Sequence, residues 1–283
     1  MFWIKKKKKP IGIILWEGKS LYDGENIMMI ATGVFRKSKN SKTGDMIQTY
    51  ILRKDISPLL ARRLGEDKSY CTECKLKENS ICYVNLCHGP MNIFKAYHNG
   101  SYKHFEEKDI KYFKNRDIRL GSFGDPGVIP FEVIEYFCEE VKTVTGYTHF
   151  WKNCDQRLKY YCMASVDSIK GYTKEYNEAR KLGWRTFRVR ENEDNLLTEN
   201  EIICTASKES KNETFCYKCG LCSGLSSKST KDISIILHGD SENMGSLWKR
   251  DRYIKMMKRI KNKKKWRRDY KRERKLFKEV CPY

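Results

Sequence analysis

Eight of the twelve cysteines fall into two tight groups, and these groups constrain the fold more than any other feature of the 283-residue chain. The first is Cys71, Cys74, Cys82 and Cys87, in the spacing C-x2-C-x7-C-x4-C. The second is Cys204, Cys216, Cys219 and Cys222, in the spacing C-x11-C-x2-C-x2-C. A CxxC step puts two thiolates on one turn of backbone, within reach of one metal centre. The chain therefore reads as a metalloprotein with two inorganic sites. Four thiolates around zinc make a closed structural site, three around a [4Fe–4S] cluster leave one iron open, and four make an electron-transfer centre. The spacing of the first group fits each of these. The dense CxxCxxC run of the second favours an iron–sulfur cluster, because zinc usually takes separated CxxC pairs. Cys138, Cys154, Cys162 and Cys281 stand apart, and free cysteines of this kind behave as small buried hydrophobes.

Grouped cysteines read as ligands only in a reducing compartment. The start, MFWIKKKKKPIGIILW, has a charged stretch followed by a short apolar run, Ile11–Trp16, with no small-residue cleavage site. That is not the pattern of a secretory signal, and no apolar run reaches the length of a membrane span. The expectation is a cytoplasmic protein without a membrane partner. Its 17 Tyr, 12 Phe and 6 Trp supply ample apolar material for a core. The net charge of +21 is concentrated at the ends. Lys5–Lys9 carry +5, and residues 245–283 carry 17 Lys and Arg against 4 Asp and Glu, which leaves +3 for residues 10–244. The expected organisation is a basic arm over 1–10, one α/β domain over 11–244 and a basic helical tail over 245–283.

Strand-like runs occur at Ile11–Trp16, Ile27–Val34 and Met46–Leu52, followed by a short helix from Pro58 to Arg63 with Pro at its first position. The cysteine-rich segment after it has no clear period, as expected where metal replaces part of the core. Further strands are expected at Ile118–Phe123, Tyr147–Trp151, Leu158–Val166, Trp184–Val189, Glu201–Thr205 and Ile233–Leu237. Helices are expected through PFEVIEYFCEEVKTV and GYTKEYNEARKLG. The alternation predicts an α/β fold with a partly parallel sheet or a partial (β/α) barrel, plus an irregular cysteine-rich segment and a basic C-terminal helix. Polar groups follow the strands: Gly124-Asp125, His149, Ser165 with Asp167, Arg188 with Arg190, Thr205 with Ser207, and His238 with Asp240. In parallel folds such ends converge on one ligand-binding face, and Cys204 places the second cysteine group beside it.

Taken singly, His149 and His238 are ordinary strand-end residues, and Asp125 caps a turn or a helix as readily as it binds a cofactor. Ser165 and Asp167 lack a positioned histidine and do not form a hydrolytic set. The loop SKNSKTGD does not match a phosphate-binding loop. The tail reads as one helix over 247–278. Its Lys263, Lys264, Lys265, Trp266, Arg267 and Arg268 combine phosphate-binding charge with an aromatic ring able to stack, so nucleic acid is the expected partner.

The ordered run of SKTGDMIQTYIL, CYVN, RLGSFGDPGVIPFEV, TGYTHFW, MASVDS, GWRTFRVR, EIICTAS and CYKCGLC resembles a widespread family of uncharacterised phage and plasmid proteins, over roughly residues 20–240. That resemblance implies a mobile-element origin and, for a viral protein, the host cytoplasm. A more distant resemblance is to radical S-adenosylmethionine enzymes. It implies Cys71, Cys74 and Cys82 as ligands of an open cluster with Tyr83 adjacent. It also implies Gly124 and Asp125 in the turn that holds the amino group of S-adenosylmethionine, and the second group as an auxiliary cluster. The spacing C-x2-C-x7-C departs from the C-x3-C-x2-C of that superfamily, and Cys87 as a fourth ligand would close the iron. Two functions are thus expected: an iron–sulfur enzyme of radical type acting on a nucleic acid or nucleotide, or a non-enzymatic zinc protein that binds nucleic acid.

Overall fold

The computed structural model describes residues 9–36, 43–78, 82, 84–166, 174–190, 199–212 and 214–236. The expected tail helix, with Lys263–Arg268, and also Tyr83, Asp167, His238, Asp240 and Cys281, lie outside the described residues.

The first three strands are β1 (Gly12–Lys19), β2 (Asn26–Thr32) and β3 (Ile47–Arg53). They form an antiparallel meander in which Ile27–Ala31 of β2 are all buried. A strand covered on both faces must be apolar at successive positions, which is why NIMMIAT shows no alternation. Helix α1 (Pro58–Leu64) begins where the Ser57 hydroxyl accepts from the Leu60 N–H, and it stops at left-handed Gly65. Two single-turn helices follow, α2 (Lys68–Cys71) and α3 (Lys75–Glu78). Next comes α4 (Gly89–His98), which buries Met91, Ile93 and Phe94. This helix was not legible in the sequence, because only ten residues carry its period.

Strand β4 (Lys103–His104) pairs with β1, and β5 (Asp117–Phe123) pairs in parallel with β3. Helix α5 (Phe131–Glu139) buries Phe131, Ile134, Phe137 and Cys138, the spacing of one helical stripe. It is shorter than its sequence pattern, since Thr143–Thr145 leave it to form β6 beside β5. The remaining strands are β7 (Tyr147–Thr148), β8 (Met163–Val166), β9 (Thr186–Arg190), β10 (Glu201–Ile203) and β11 (Asp232–Ile236). Helix α6 (Lys174–Lys181) crosses from β8 to β9 and buries Tyr176 and Ala179. The last helix is the single turn α7 (Cys216–Cys219). The first half of the expected strand over 158–166 is instead a 3-10 turn, Gln156–Tyr160, whose start is capped by Asp155.

The strands form two sheets, β4-β1-β2-β3-β5-β6 and β10-β11-β9-β8-β7. The first is mixed and the second is wholly parallel. The chain over 143–148 is an edge of both, since β6 runs through Gly146 directly into β7. Parallel strands therefore continue from β3 through to β11, as the partly parallel α/β expectation requires. Buried polar contacts hold the second sheet together. Arg188 makes a two-pronged contact to Glu201 at 2.7 and 2.6 Å. Arg190 donates to Ser234 at 2.8 Å and to Glu209 at 3.0 Å. Asp232 accepts from the Thr186 N–H at 2.7 Å and the Tyr176 hydroxyl at 2.9 Å. Among the described residues, no helix is long and apolar enough to cross a membrane.

Candidate metal centres

The first cysteine segment sits at the leaving end of β3 and β5. Cys71 closes α2, and Thr72 then takes φ 48°, a left-handed conformation that a β-branched residue rarely adopts. The Cys74 N–H donates back to the Cys71 carbonyl at 3.3 Å, so this strained turn carries both cysteines on one tight stretch of backbone. Arg62 of α1 pairs with buried Asp67, and Lys77 reaches the other oxygen of the same carboxylate at 3.2 Å. Burial pushes the Cys71 thiol well above its ordinary value; Asp67 adds to this, while Arg62 and Lys77 oppose it. Burial also works against the charge of Arg62, but the facing groups of Cys71, Asp67 and Cys82 outweigh it and raise its pKa.

Three buried polar atoms belong to this segment and to α1: Arg62 Nη2, the Tyr70 hydroxyl and the Thr72 hydroxyl, with Arg62 and Tyr70 near enough to Cys71 to interact with its charge. None finds a hydrogen-bond partner among the described residues. Orphaned donors beside cysteine sulfur fit an anionic group that accepts from them, such as thiolate or cluster sulfide. Cys74 is buried and Cys82 is half-buried, whereas Cys87, expected as a candidate ligand, is disulfide-bonded.

The Gly124-Asp125 turn at the end of β5 touches this segment directly. The Asp125 N–H donates to the Tyr70 carbonyl at 2.6 Å, and the Tyr70 and Phe123 rings lie 5.5 Å apart. Gly124 has φ 84°, and a Cβ there would meet the Ile51 carbonyl oxygen at 2.6 Å, so only glycine lets β3 and the turn approach this closely. Asp125 is 4% exposed. Its Oδ1 accepts from the Gly127 N–H at 2.8 Å. Its Oδ2 accepts from the His149 N–H at 2.7 Å and the Phe150 N–H at 3.2 Å. The carboxylate thus caps the 3-10 turn Pro126–Val128 and ties the ends of β5 and β7 together. Each oxygen is already engaged by backbone, so the turn lies beside the cysteines but offers them no free carboxylate.

The second group gathers from two segments. Cys204 leaves β10 with its N–H bonded to the Ser234 carbonyl at 2.7 Å. Cys216 and Cys219 bracket α7, which ends at left-handed Gly220, and Cys222 follows. The Tyr147 hydroxyl is hydrogen-bonded to the Cys222 thiol. The Thr205 hydroxyl lies 3.0 Å from Cys219 Sγ. Burial pushes the Cys222 thiol up to about 12, against the pull of Tyr147, and Cys204, Cys219 and Cys216 all lie close enough to add to the rise.

Arg185 anchors this loop. It donates to the Gly224 carbonyl at 2.7 Å, the Leu221 carbonyl at 3.0 Å and the Lys231 carbonyl at 3.1 Å. Gly224, at φ 55°, lies against Lys159 and Cys162, where a Cβ would meet backbone at 2.4 Å. These contacts are all at the entering ends of β8, β9 and β11, and the Gly146 N–H ahead of β7 donates to the Cys222 carbonyl at 3.1 Å. Of this group only Cys204 follows a leaving strand end, that of three-residue β10, and it lies with Cys216–Cys222. Cys216–Cys222 sit at the opposite ends of the strands from Cys71 and Asp125. The two groups are separate sites.

Among the described residues, no three His, Cys, Asp or Glu side chains converge on a single metal position. The four thiols of the second group are near neighbours not closed around a point, and burial favours the protonated form of Cys222. A cation that binds there would displace protons and draw the ligands inward. Cys138, Cys154 and Cys162 are buried, as their expected hydrophobic role requires.

Arg62 and Tyr147, which face the sulfurs, were not legible in the sequence because neighbouring elements contribute them, and Thr205 was marked there only as a polar strand end. Of Arg185, Arg188 and Arg190, the sequence leads us to expect one or two to face the cleft or a phosphate, whereas all three donate to internal carbonyls and carboxylates. Comparison of the chain with protein-family models, curated proteins and solved structures returns no match.

Proposed function

We propose that the protein is an iron–sulfur protein with two centres, held by Cys204, Cys216, Cys219 and Cys222 and by Cys71, Cys74 and Cys82. The observation that carries this reading is the gathering of Cys204 with the Cys216–Cys222 loop, in hydrogen-bond contact with Tyr147 and Thr205. An iron–sulfur cluster supplies one-electron transfer. The protein's own contribution is to exclude water, fix the thiolates and donate hydrogen bonds to them, which tunes the potential.

In its finer form the first centre is reactive, with an open iron, and acts on a nucleic acid or nucleotide in the manner of a radical S-adenosylmethionine enzyme. The contact between Asp125 and Tyr70 supports it, since it brings the glycine–acid turn to the cysteine segment. The engagement of both Asp125 oxygens weighs against Asp125 as the group that orients an amine. Cys87 is disulfide-bonded and so supplies no thiolate as it stands; only after reduction could it close the iron as a fourth ligand.

The test is iron and acid-labile sulfide analysis of protein made without oxygen, followed by an assay for reductive cleavage of S-adenosylmethionine. Iron with matching sulfide is expected, and Cys82→Ala should abolish cleavage. Iron without cleavage by the unaltered protein would leave two redox centres and remove the radical form. The second reading, zinc sites in a nucleic-acid-binding protein, is favoured by the charge of +13 over residues 245–283. It predicts zinc at both sites and no sulfide.

A further inference from the structure

A cavity of about 480 Å³ opens at the β4-β1-β2 edge of the first sheet, far in sequence from both cysteine groups. Four separate segments build it. Lys9 and Pro10 lead into β1, Phe35 and Arg36 follow β2, Lys103 lies on β4, and Asp109 and Tyr112 belong to the 3-10 helix Glu107–Tyr112. The β4-β1-β2 neighbourhood brings these together from positions about a hundred residues apart.

Three cations and one carboxylate line this cavity. The carboxylate is already committed, because Asp109 accepts from Lys103 at 2.8 Å and from the Glu106 N–H at 3.0 Å. Lys9 and Arg36 are exposed, and neither has an ion-pair partner among the described residues. Their charge is available to a ligand, and in the sequence Lys5–Lys8 immediately precede Lys9. The wall is aromatic. Phe35 and Tyr112 meet edge to face with centroids 5.2 Å apart, and Lys111 lies over the Tyr112 ring at 5.2 Å. Arg116 fixes the loop that carries Phe35 by donating to the Gly33 carbonyl at 2.8 Å and the Val34 carbonyl at 3.3 Å.

We propose that this cavity binds single-stranded nucleic acid, with Lys9 and Arg36 on adjacent phosphates and one unstacked base against the Phe35–Tyr112 wall. The volume lies in the range of small-ligand clefts. Separated cations beside an aromatic surface are what a single strand requires. A duplex does not fit the role, because its bases are stacked away from any wall. The site goes beyond the two metal centres and does not rest on them, since it contains no cysteine.

The test uses full-length protein, a labelled oligo-dT or oligo-U, and a salt series read by fluorescence anisotropy. The double variant Lys9→Gln/Arg36→Gln removes two exposed charges with no ion-pair partner among the described residues, so the fold is retained. It should weaken binding about tenfold and reduce the salt slope by about 1.4, the value for two phosphate contacts on a single strand. Photocrosslinking with a bromodeoxyuridine-substituted strand should mark Phe35 or Tyr112. An unchanged slope with crosslinks confined to residues 245–283 would overturn the assignment, as would equal binding of a hairpin duplex or displacement of the strand by poly-Glu at matched charge. Iron and sulfide content is unaffected by any of these outcomes, so this site and the metal centres fail independently.

Discussion

Asp125 shows how one residue type supports two readings until its partners are known. Its three backbone donors make it a structural cap, and hydrogen bonds to a charged acceptor contribute about 1.5–3 kcal/mol each. Asp125→Ala should therefore lower the stability of metal-free protein by about 3 kcal/mol in urea unfolding, and Asp125→Asn by less, since it keeps one acceptor oxygen. Unchanged stability in Asp125→Ala would contradict the capping role. Tyr147 is the converse case, a residue whose sequence context marks only a strand start but whose hydroxyl reaches Cys222. Tyr147→Phe should lower the reduction potential of the second centre while iron and sulfide stay at the level of the unaltered protein, because hydrogen bonds to ligating sulfur raise the potential. An unchanged potential would remove Tyr147 from the centre.

The strand β9 illustrates what was legible at the scale of elements. The pattern TFRVR reads as a strand, and a strand forms, but the destination of its arginines depends on partners far along the chain. Arg188 is 1% exposed and its partner is Glu201, two strands away in the sheet. Arg188→Met should cost about 3–5 kcal/mol, because it removes one partner of a buried ion pair. Arg188→Met/Glu201→Leu should recover most of that loss, and a double variant as unstable as the single would show that the pair does not act as a unit.

The 3-10 helix Glu107–Tyr112 makes a pH-dependent contribution. Burial works against the Asp109 charge, but Lys103 and the Glu106 N–H hold its carboxyl below the ordinary value of 3.8. A depressed carboxyl stabilises the fold above its unfolded pKa, and the contribution is lost as pH falls through the lowered folded value. Lys103→Met should therefore flatten the acid limb of the stability profile below about pH 4. An acid limb identical to that of the unaltered protein would contradict this.

Over the whole molecule, the alternation of strands and helices was legible because hydrophobic periodicity and turn residues are local. The division into two sheets was not, since it rests on the two-residue strand β7 and on Gly146, where the chain passes from one sheet to the other. Helix α4 and strand β4 were missed for the same reason: short elements carry too little pattern. The cysteine groups were legible as groups, and their placement was not. The rule that ligands gather at the leaving ends of parallel strands puts both on one face. The structure instead sets Cys71 and Asp125 at the leaving ends and the Cys216–Cys222 loop at the entering ends, locked there by Arg185 and Gly146. Two centres at opposite ends of the strands need separate tests, and single-site variants should separate them. Cys222→Ser should remove the second centre's share of the metal and leave the first.

The central claim is that these cysteines hold iron–sulfur clusters. The most direct measurement is iron, zinc and acid-labile sulfide content of full-length protein produced and purified without oxygen, alongside Cys82→Ala and Cys222→Ser. The account predicts iron with matching sulfide in the unaltered protein and a partial loss of both in each variant. Zinc at both sites, with neither iron nor sulfide, would contradict it.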